Sequence, residues 1–208
     1  MQTERYAVGG VIPAGAVYLF VNDRSIDTVE EMSGKKIATL DYDAPSIKMV
    51  NHVGAAVVPS NSANFSGKFN NGSVDIAYAP AIAYKPLEMY KGLGENGAIL
   101  RYNLAYLDFQ LVFHREQFSD EYTQKSREFV ASLFDRAIKS IKQHTEEIED
   151  HYWLDLPEAQ QKEYNEMLRQ VRITLRDEGV YDGKMLRLLK NLRCKADGSA
   201  AECVENLE

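Results

Sequence analysis

The chain has 208 residues, of which 45% are hydrophobic, and a formal net charge of −7 at pH 7. This length and hydrophobic content are enough for a sizeable core, which excludes a disordered protein. The acidic balance comes without a basic stripe, so nucleic acid and anionic membrane surfaces are not expected partners.

The longest apolar stretch runs from Tyr6 to Val21, and helix-breaking residues interrupt it at Gly9, Gly10, Pro13 and Gly15. A membrane-spanning helix needs about 18 or more uninterrupted apolar residues. We therefore interpret this stretch as a loop that leads into a strand at Val17–Val21, and neither as a signal peptide nor as a membrane span. No direct membrane insertion is expected.

Short β-rich runs then alternate with helical segments as far as about Phe113, a pattern typical of βαβ units around a largely parallel sheet. Thr28 and Glu31 form a capping box for the first short helix, and Gly34 ends it. Pro45 suits the first turn of the next helix. The predicted strands are Val17–Val21, Lys36–Leu40, Ala55–Val58, Val74–Tyr78 and Leu107–Phe113.

The pattern changes at Ser119, where apolar residues begin to recur with a helical period and predict one long helix. A second helix is predicted to open at Pro157 and to end at Gly179, and a third carries apolar residues from Met185 to Leu192. We therefore expect an α/β ligand-binding lobe at residues 1–118 and a helical region at residues 119–208.

Cys194 and Cys203 are the only cysteines, and they flank a polar, loop-like segment. A disulfide closing this loop would fit an oxidising compartment. Two unrelated free thiols are the alternative. A zinc site is not predicted, because no second pair of ligands lies nearby in the sequence.

Three segments carry a resemblance to a known family. They are Ile26–Ile37 with its Gly-Lys-Lys-Ile element, the pair Val53–Pro59 and Phe69–Asp75, and Tyr152–Pro157 at the start of a Gln/Glu-rich helix. Together they resemble the second half of TRAP-type (DctP-like) periplasmic solute-binding proteins, over about residues 15–190. Leu40–Asp43 and Tyr90–Gly94, among others, are similar to a divergent, uncharacterised group of putative solute-binding proteins.

The resemblance implies a periplasmic-binding-protein-like lobe and a receptor function. Such a receptor captures a small polar solute by hinge closure and delivers it to the membrane permease subunits of a transporter. In the family a first lobe precedes this part of the chain, whereas Met1 here stands at the expected crossing between lobes. The resemblance thus implies a chain without its N-terminal lobe, in the periplasm, with no signal peptide in the sequence and no cofactor.

Ligands of this class are held by polar groups at the carboxyl ends of parallel strands. Five residues follow or lie on the predicted strands in this way and are the candidate ligand-binding residues: Asp41, Asp43, Tyr78, Tyr84 and Gln110. The alternatives are that both aspartates cap local turns and that both tyrosines only pack. The family's carboxylate-binding arginine is replaced by Ala38, which disfavours an organic acid and favours a hydroxyl-rich, amide-bearing or cationic solute.

Two other classes of function compete with the receptor. Asp41 and Asp43 form an Asp-x-Asp motif that in many glycosyltransferases holds a metal and a nucleotide sugar. No phosphate loop, zinc motif or nucleophile elbow accompanies it, and the four histidines are dispersed, so neither an enzyme nor a resident metal is expected. A helical interaction module, anchored by Trp153 and exposed tyrosines, is the third alternative.

Overall fold

The fold alternates strands and helices in its first part and is mainly helical in its last part. The computed structural model describes residues 4–198, 200–205 and 207, so Met1 and Glu208, the ends of the two predicted regions, lie outside the described residues. The strands are β1 (Tyr6–Val21), β2 (Lys36–Leu40), β3 (Ala56–Ser60), β4 (Ile76–Pro80), β5 (Ala98–Leu100), β6 (Ala105–His114) and β7 (Trp153–Leu154). The α-helices are α1 (Ala44–His52), α2 (Phe65–Asn70), α3 (Tyr90–Leu93), α4 (Asp120–Ser132), α5 (Phe134–Glu146), α6 (Glu158–Asp177), α7 (Gly183–Ala196) and α8 (Ala201–Val204).

The chain packs as two compact units, each built from two segments. The first unit combines the segment that ends at Asp23 with Tyr78–Asp155, and the second combines Arg24–Ala77 with the segment that begins at Leu156. Helices dominate after residue 118, as the periodicity predicts, and the α/β fold class is confirmed. The division into lobes at residue 118 stays a prediction.

In the second unit the pairing is parallel. Leu40 of β2 lies opposite Ser60 of β3, and Ile37 of β2 lies opposite Ile76 of β4. The predicted capping box is confirmed, because the Glu31 backbone N–H donates to Thr28 Oγ1 at 3.2 Å and the Thr28 N–H donates to Glu31 Oε2 at 3.2 Å. The helix it caps is a single 3-10 turn.

In the first unit β1 pairs antiparallel with β5 and β6, while β5 and β7 are parallel. The predicted loop before the last residues of β1 is wrong, since the strand is continuous and accommodates two register shifts. A Cβ at Gly10 would lie 2.6 Å from Val130 of α4, and a Cβ at Gly15 2.9 Å from Ile141 of α5. The glycines therefore let α4 and α5 approach β1 closely, which is a common role of glycine inside a strand.

The single long helix predicted from Ser119 onward is also wrong, because α4 ends at Ser132 with Leu133 as its C-cap, and a separate helix, α5, begins at Phe134. The Ser132 hydroxyl donates to the Phe129 carbonyl at 2.6 Å, at the end of α4. A serine that bonds back to the preceding turn competes with the helical hydrogen-bond pattern and favours a bend. The apolar period continues across the bend, which explains why the sequence predicts one helix.

The predicted disulfide is confirmed between Cys194 and Cys203. It joins α7 to α8, and charged pairs reinforce the same region. Glu202 accepts from Arg193 at 2.7 Å and from Arg172 of α6 at 3.1 Å. The C-terminal loop is therefore held by one covalent bond and by ion pairs to two helices. Among the described residues, no helix is long and apolar enough to cross a membrane.

We expect Gly97→Ala to destabilise the first unit by about 1–3 kcal/mol, because it overpacks a rigid site. A Cβ at Gly97 would meet three backbone atoms, among them the Leu93 carbonyl oxygen at 2.4 Å and that of Val21 at 2.6 Å. Urea denaturation followed by circular dichroism measures the change. Gly67→Ala in α2 is the matched control, since a Cβ there meets nothing within 4 Å. An equal effect of both substitutions on stability would contradict this account.

Candidate functional site

In the second unit, the candidate site lies at the carboxyl ends of β2 and β3. Because the two strands are parallel and in register up to Leu40 and Ser60, the segments that follow them leave the sheet at the same edge. The Asp41 N–H donates to the Ser60 carbonyl at 2.9 Å, which fixes the turn after β2. Both predicted aspartates therefore lie at this edge.

Asp43 is the N-cap of α1. Its carboxylate accepts from the Ser46 backbone N–H at 3.2 Å and from the Ser46 hydroxyl at 2.5 Å. This is the capping role that the sequence left open, and Pro45 follows it in the first turn as predicted. The pKa of the Tyr181 phenol is raised above its ordinary value. Burial is the main cause, and the negative charge of Asp43 is the second.

Asp41 is exposed, and its carboxylate has no hydrogen-bond or ion-pair partner among the residues the structure describes. The neighbouring Tyr42 side chain is 71% exposed. After β3, Asn61 closes a compact turn by accepting from the Ala63 and Asn64 backbone N–H groups at 3.0 and 3.1 Å. This edge therefore presents one uncommitted carboxylate beside an exposed phenol.

In the first unit, Tyr84 is a core residue. Its side chain is 1% exposed, and its hydroxyl donates to Glu149 Oε2 at 2.5 Å. The ring lies 6.0 to 6.5 Å from those of Phe20, Tyr90 and Tyr152. Burial first, and then the hydrogen bond to Glu149, raise the pKa of the Tyr84 phenol. This geometry favours the packing interpretation of Tyr84, whereas Tyr78 is half-buried within β4.

Gln110 lies on β6, where its side chain is exposed and donates to Asp108 Oδ1 at 2.8 Å. Alternation along the strand places Gln110 on the same face as Asp108 and Tyr106. The Tyr106 hydroxyl accepts from Asn103 Nδ2 at 3.0 Å. One face of β6 thus carries a row of exposed polar groups.

The first unit also contains an aromatic and cationic cluster that the sequence did not predict. The Arg101 guanidinium lies 4.8 Å from the centroid of the Trp153 ring, and its Nε is 2.7 Å from Asp155 Oδ1. Tyr18 meets Trp153 edge-on at 5.0 Å. Burial is the main cause that raises the pKa of the Tyr18 phenol, and the electrostatic interaction with Tyr106 is the second. The members come from separate strands and connections, so only the tertiary pairing brings them together.

Ala38, which stands where the resembling family has its arginine, is fully buried in β2. The positive charge that is expected to bind a carboxylate in that family is therefore absent from this position. The aspartates of the Asp-x-Asp motif differ in their contacts, because Asp43 is committed to its helix. Among the described residues, no group of three or more His, Cys, Asp or Glu side chains is arranged to hold a metal ion.

A separate open depression of about 650 Å³ lies on the second unit and is lined in part by α6. Its charged and titratable residues are Glu30, His52, Lys162, Glu163 and Glu166. None of the five predicted ligand residues lines it. It is a different surface feature from the edge that carries Asp41.

Comparison with known proteins places the chain among solute-binding proteins. The family model described as "Solute-binding protein AdeT 1/2" matches residues 1–208. The "Probable solute-binding protein AdeT1" of Acinetobacter baumannii is 43% identical over 203 residues, which are 98% of this chain and 67% of that relative.

Solved structures of TRAP periplasmic solute-binding proteins share the fold. One from Shewanella oneidensis with bound succinate matches 86% of this chain and 60% of its own, with a TM-score of 0.71 and 14% identity. Another, from Rhodoferax ferrireducens with bound malonate, matches 93% of this chain and 64% of its own, with a TM-score of 0.71 and 14% identity. The chain thus spans less than two thirds of the length of these solved proteins.

Proposed function

Because this chain belongs to the AdeT 1/2 solute-binding protein family, we propose that it acts as an extracytoplasmic solute receptor for a transporter. In this role it binds a small polar solute without converting it and delivers it to membrane permease subunits. The periplasmic fold neighbours and the disulfide support an oxidising compartment outside the cytoplasm. Solute binding would select a closed state that the permease recognises.

The observation that carries the solute class is the Asp41 carboxylate, which has no hydrogen-bond or ion-pair partner among the described residues. It stands exposed at the carboxyl edge of parallel strands, where ligands of α/β proteins bind. Residue 38, where the resembling TRAP-type proteins are expected to carry a carboxylate-binding arginine, is a buried alanine. The net charge of −7 also attracts cations over a longer range. We therefore propose a cationic or hydroxyl- and amide-bearing solute.

Among the predicted residues, Asp41 of the second unit is proposed to contact the solute, while Tyr78 and Gln110 of the first unit stay predictions. Asp43 and Tyr84 are proposed to act indirectly, because their polar groups already bond to Ser46 and Glu149. The Arg101 and Trp153 cluster adds a planar, partly exposed surface in the first unit. Substitutions can test these residues separately. Asp43→Asn removes a charge but keeps the helix cap, and Tyr84→Phe removes a hydroxyl but keeps the buried ring.

Asp41→Asn is expected to weaken binding of a cationic solute by about 10- to 100-fold, because a hydrogen bond to a charged group contributes about 1.5–3 kcal/mol. Titration calorimetry of the 208-residue chain with amino acids, polyamines, polyols and dicarboxylates measures it. Asp43→Asn is the comparison, since asparagine keeps the helix cap while removing the same charge, and it is expected to weaken binding less than Asp41→Asn because the Asp43 carboxylate is already bonded to Ser46. Equal affinity of Asp41→Asn and the wild type for every solute bound would contradict the proposed site.

A further inference from the structure

Asp27 joins the two segments through which the chain enters the second unit. One of these entry segments begins at Arg24, and the other begins at Leu156 and continues as α6. The buried Tyr164 of α6 donates from its hydroxyl to the Asp27 carbonyl at 3.2 Å. Gln160, one turn earlier on the same helix, donates from Nε2 to Asp27 Oδ1 at 3.2 Å. The backbone and the side chain of Asp27 therefore both contact the start of α6.

The side-chain amide of Gln160 is left incomplete by these contacts. Its Oε1 atom is buried, and none of the described residues donates a hydrogen bond to it. A buried acceptor without a donor is unfavourable, because it has lost water and gained no partner. Exchanging the two amide atoms does not remove the problem, since Oε1 would then face a carboxylate oxygen of Asp27. A proton on Asp27 would supply the donor that Oε1 lacks.

A second carboxylate lies beside Asp27 and is held in its charged form. Glu31 Oε2 accepts from the backbone N–H groups of Asp27 and Thr28 at 3.1 and 3.2 Å, and from Thr28 Oγ1 at 3.0 Å. The hydrogen bond from the Asp27 backbone is the main cause that lowers the pKa of Glu31, and the bonds from Thr28 follow. Two neighbouring carboxylates do not both ionise readily, because like charges repel. The pair therefore favours a charged Glu31 beside a protonated Asp27.

The surroundings of Asp27 agree with this division of charge. Burial is the main cause that raises the pKa of Asp27, and the charge of Glu31 and a hydrogen bond with Glu31 come next. The hydrogen bond from Gln160 acts in the opposite direction but is a smaller cause. From α6 the neutral Gln160 amide and the Tyr164 phenol face this segment, and the main causes include no cation. Asp27 thus lies in a place that favours its neutral form.

We propose that protonation of Asp27 strengthens the link between the two entry segments, because the Asp27 hydroxyl then donates to Gln160 Oε1 while its other oxygen still accepts from Gln160 Nε2. The single hydrogen bond of the ionised form becomes a two-bond acid–amide pair, in which each side chain donates once and accepts once. The proton comes from solvent and returns to it, and no covalent bond between heavy atoms changes. The link lies within the second unit and does not depend on the proposed receptor function.

The stability that this link contributes follows the protonation of Asp27. Because the pKa of Asp27 is raised, the contribution is fully present below the ordinary aspartate pKa and is lost as pH rises through the raised one. The lowered pKa of Glu31 works the other way, since its contribution is present above the ordinary glutamate pKa and is lost as pH falls through the lowered one. The link is therefore strongest in mildly acidic solution, where Asp27 is protonated and Glu31 is still charged.

Asp27→Asn in the full chain imitates the protonated side chain, because an amide also donates and accepts at once. We expect it to raise the melting temperature by about 2–4 °C at pH 7, a typical effect of one interaction in a chain of this size. The difference should shrink towards zero at about pH 4, where the wild type has gained its proton. Asp108→Asn is the matched control, since the exposed Asp108 also accepts from a glutamine amide, that of Gln110, at 2.8 Å. It removes the same charge and should shift the melting temperature equally at both pH values.

Carbon-13 NMR of the side-chain carbonyl groups during a pH titration supplies a second readout, which a merely structural role of Asp27 would not move. The Gln160 carbonyl should shift with the same pH midpoint as the Asp27 carboxyl group. Glu31→Gln, which keeps the capping box, should lower the Asp27 midpoint because it removes the neighbouring charge. A Gln160 carbonyl that does not follow Asp27, or an Asp27→Asn variant that melts below the wild type at pH 7, would overturn the proposal.

Discussion

Tyr84→Ala is expected to lower the free energy of unfolding by about 3–5 kcal/mol, the range for removing a large buried aromatic side chain. Tyr84 is 1% exposed and is surrounded by the rings of Phe20, Tyr90 and Tyr152. Removing the ring leaves a cavity in the first unit and separates these aromatic neighbours. Chemical denaturation at neutral pH measures the loss.

Tyr84→Phe is the control for this substitution, because it keeps the ring and removes only the hydroxyl. We expect a cost of about 1 kcal/mol, typical of one hydrogen bond. The Tyr84 hydrogen bond is the main cause that holds the pKa of Glu149 below its usual value. The stability contributed by this hydrogen bond is therefore fully present above the ordinary glutamate pKa. It is lost as pH falls through the lowered pKa of Glu149.

The difference in stability between wild type and Tyr84→Phe should consequently narrow on acidification. Repeating the denaturation at neutral pH and at about pH 3, below the ordinary glutamate pKa, checks the sign. A difference that widens in acid would contradict the assignment of the Tyr84–Glu149 bond. A loss of less than about 1 kcal/mol in Tyr84→Ala would show that the ring is not part of the core.

Replacing Cys194 and Cys203 together by serine is expected to destabilise the chain by about 2–3 kcal/mol. The bridge closes a short loop with a sequence separation of 9, and loops of this length constrain the unfolded chain by about that amount. The loss should fall on α8 and its contacts, since Glu202 pairs with Arg172 and Arg193 from that loop.

A reductant provides the internal control for this prediction. Dithiothreitol should lower the melting temperature of the wild type to that of the double serine variant, and it should leave the variant unchanged. If the variant melts with the oxidised wild type, the disulfide contributes nothing measurable to stability. If the reductant shifts the variant equally, its effect does not act through this bond.

Local sequence patterns predicted the second unit well, because short-range chemistry determines its elements. The strand Lys36–Leu40 has the predicted bounds, and the capping box of Thr28 and Glu31 forms as expected. Pro45 lies in the first turn of α1, where the sequence predicts it. In each case the residues that decide the conformation lie within about four positions of one another.

The errors arise where tertiary packing overrides local preference. Gly10 and Gly15 are chain breakers by local rules, yet they lie inside β1 because Val130 and Ile141 fill the space that a Cβ would need. The apolar residues keep their helical period across the break between α4 and α5 at Leu133. The sequence pattern therefore does not reveal this break. Neither feature can be recognised without knowing which helix covers which strand.

The candidate site was predictable only in part. Asp41 and Asp43 follow a strand that the sequence identifies, so their place at the carboxyl edge could be predicted. The burial of Tyr84 depends on the 3-10 turn at Ala81–Ala83 and on its hydrogen bond to Glu149, 65 residues away. The cluster of Arg101 and Trp153 likewise depends on long-range strand pairing, which no local motif encodes.

We propose that the chain captures a polar solute and does not transform it. Equilibrium dialysis of the chain against a mixture of cationic, hydroxyl-bearing and dicarboxylate solutes, followed by mass spectrometry of the retained molecules, is the decisive experiment. We expect one retained solute, cationic or rich in hydroxyl and amide groups, to be recovered chemically unchanged and to be lost in Asp41→Asn. Recovery of a converted product, or retention of dicarboxylates alone, would contradict it.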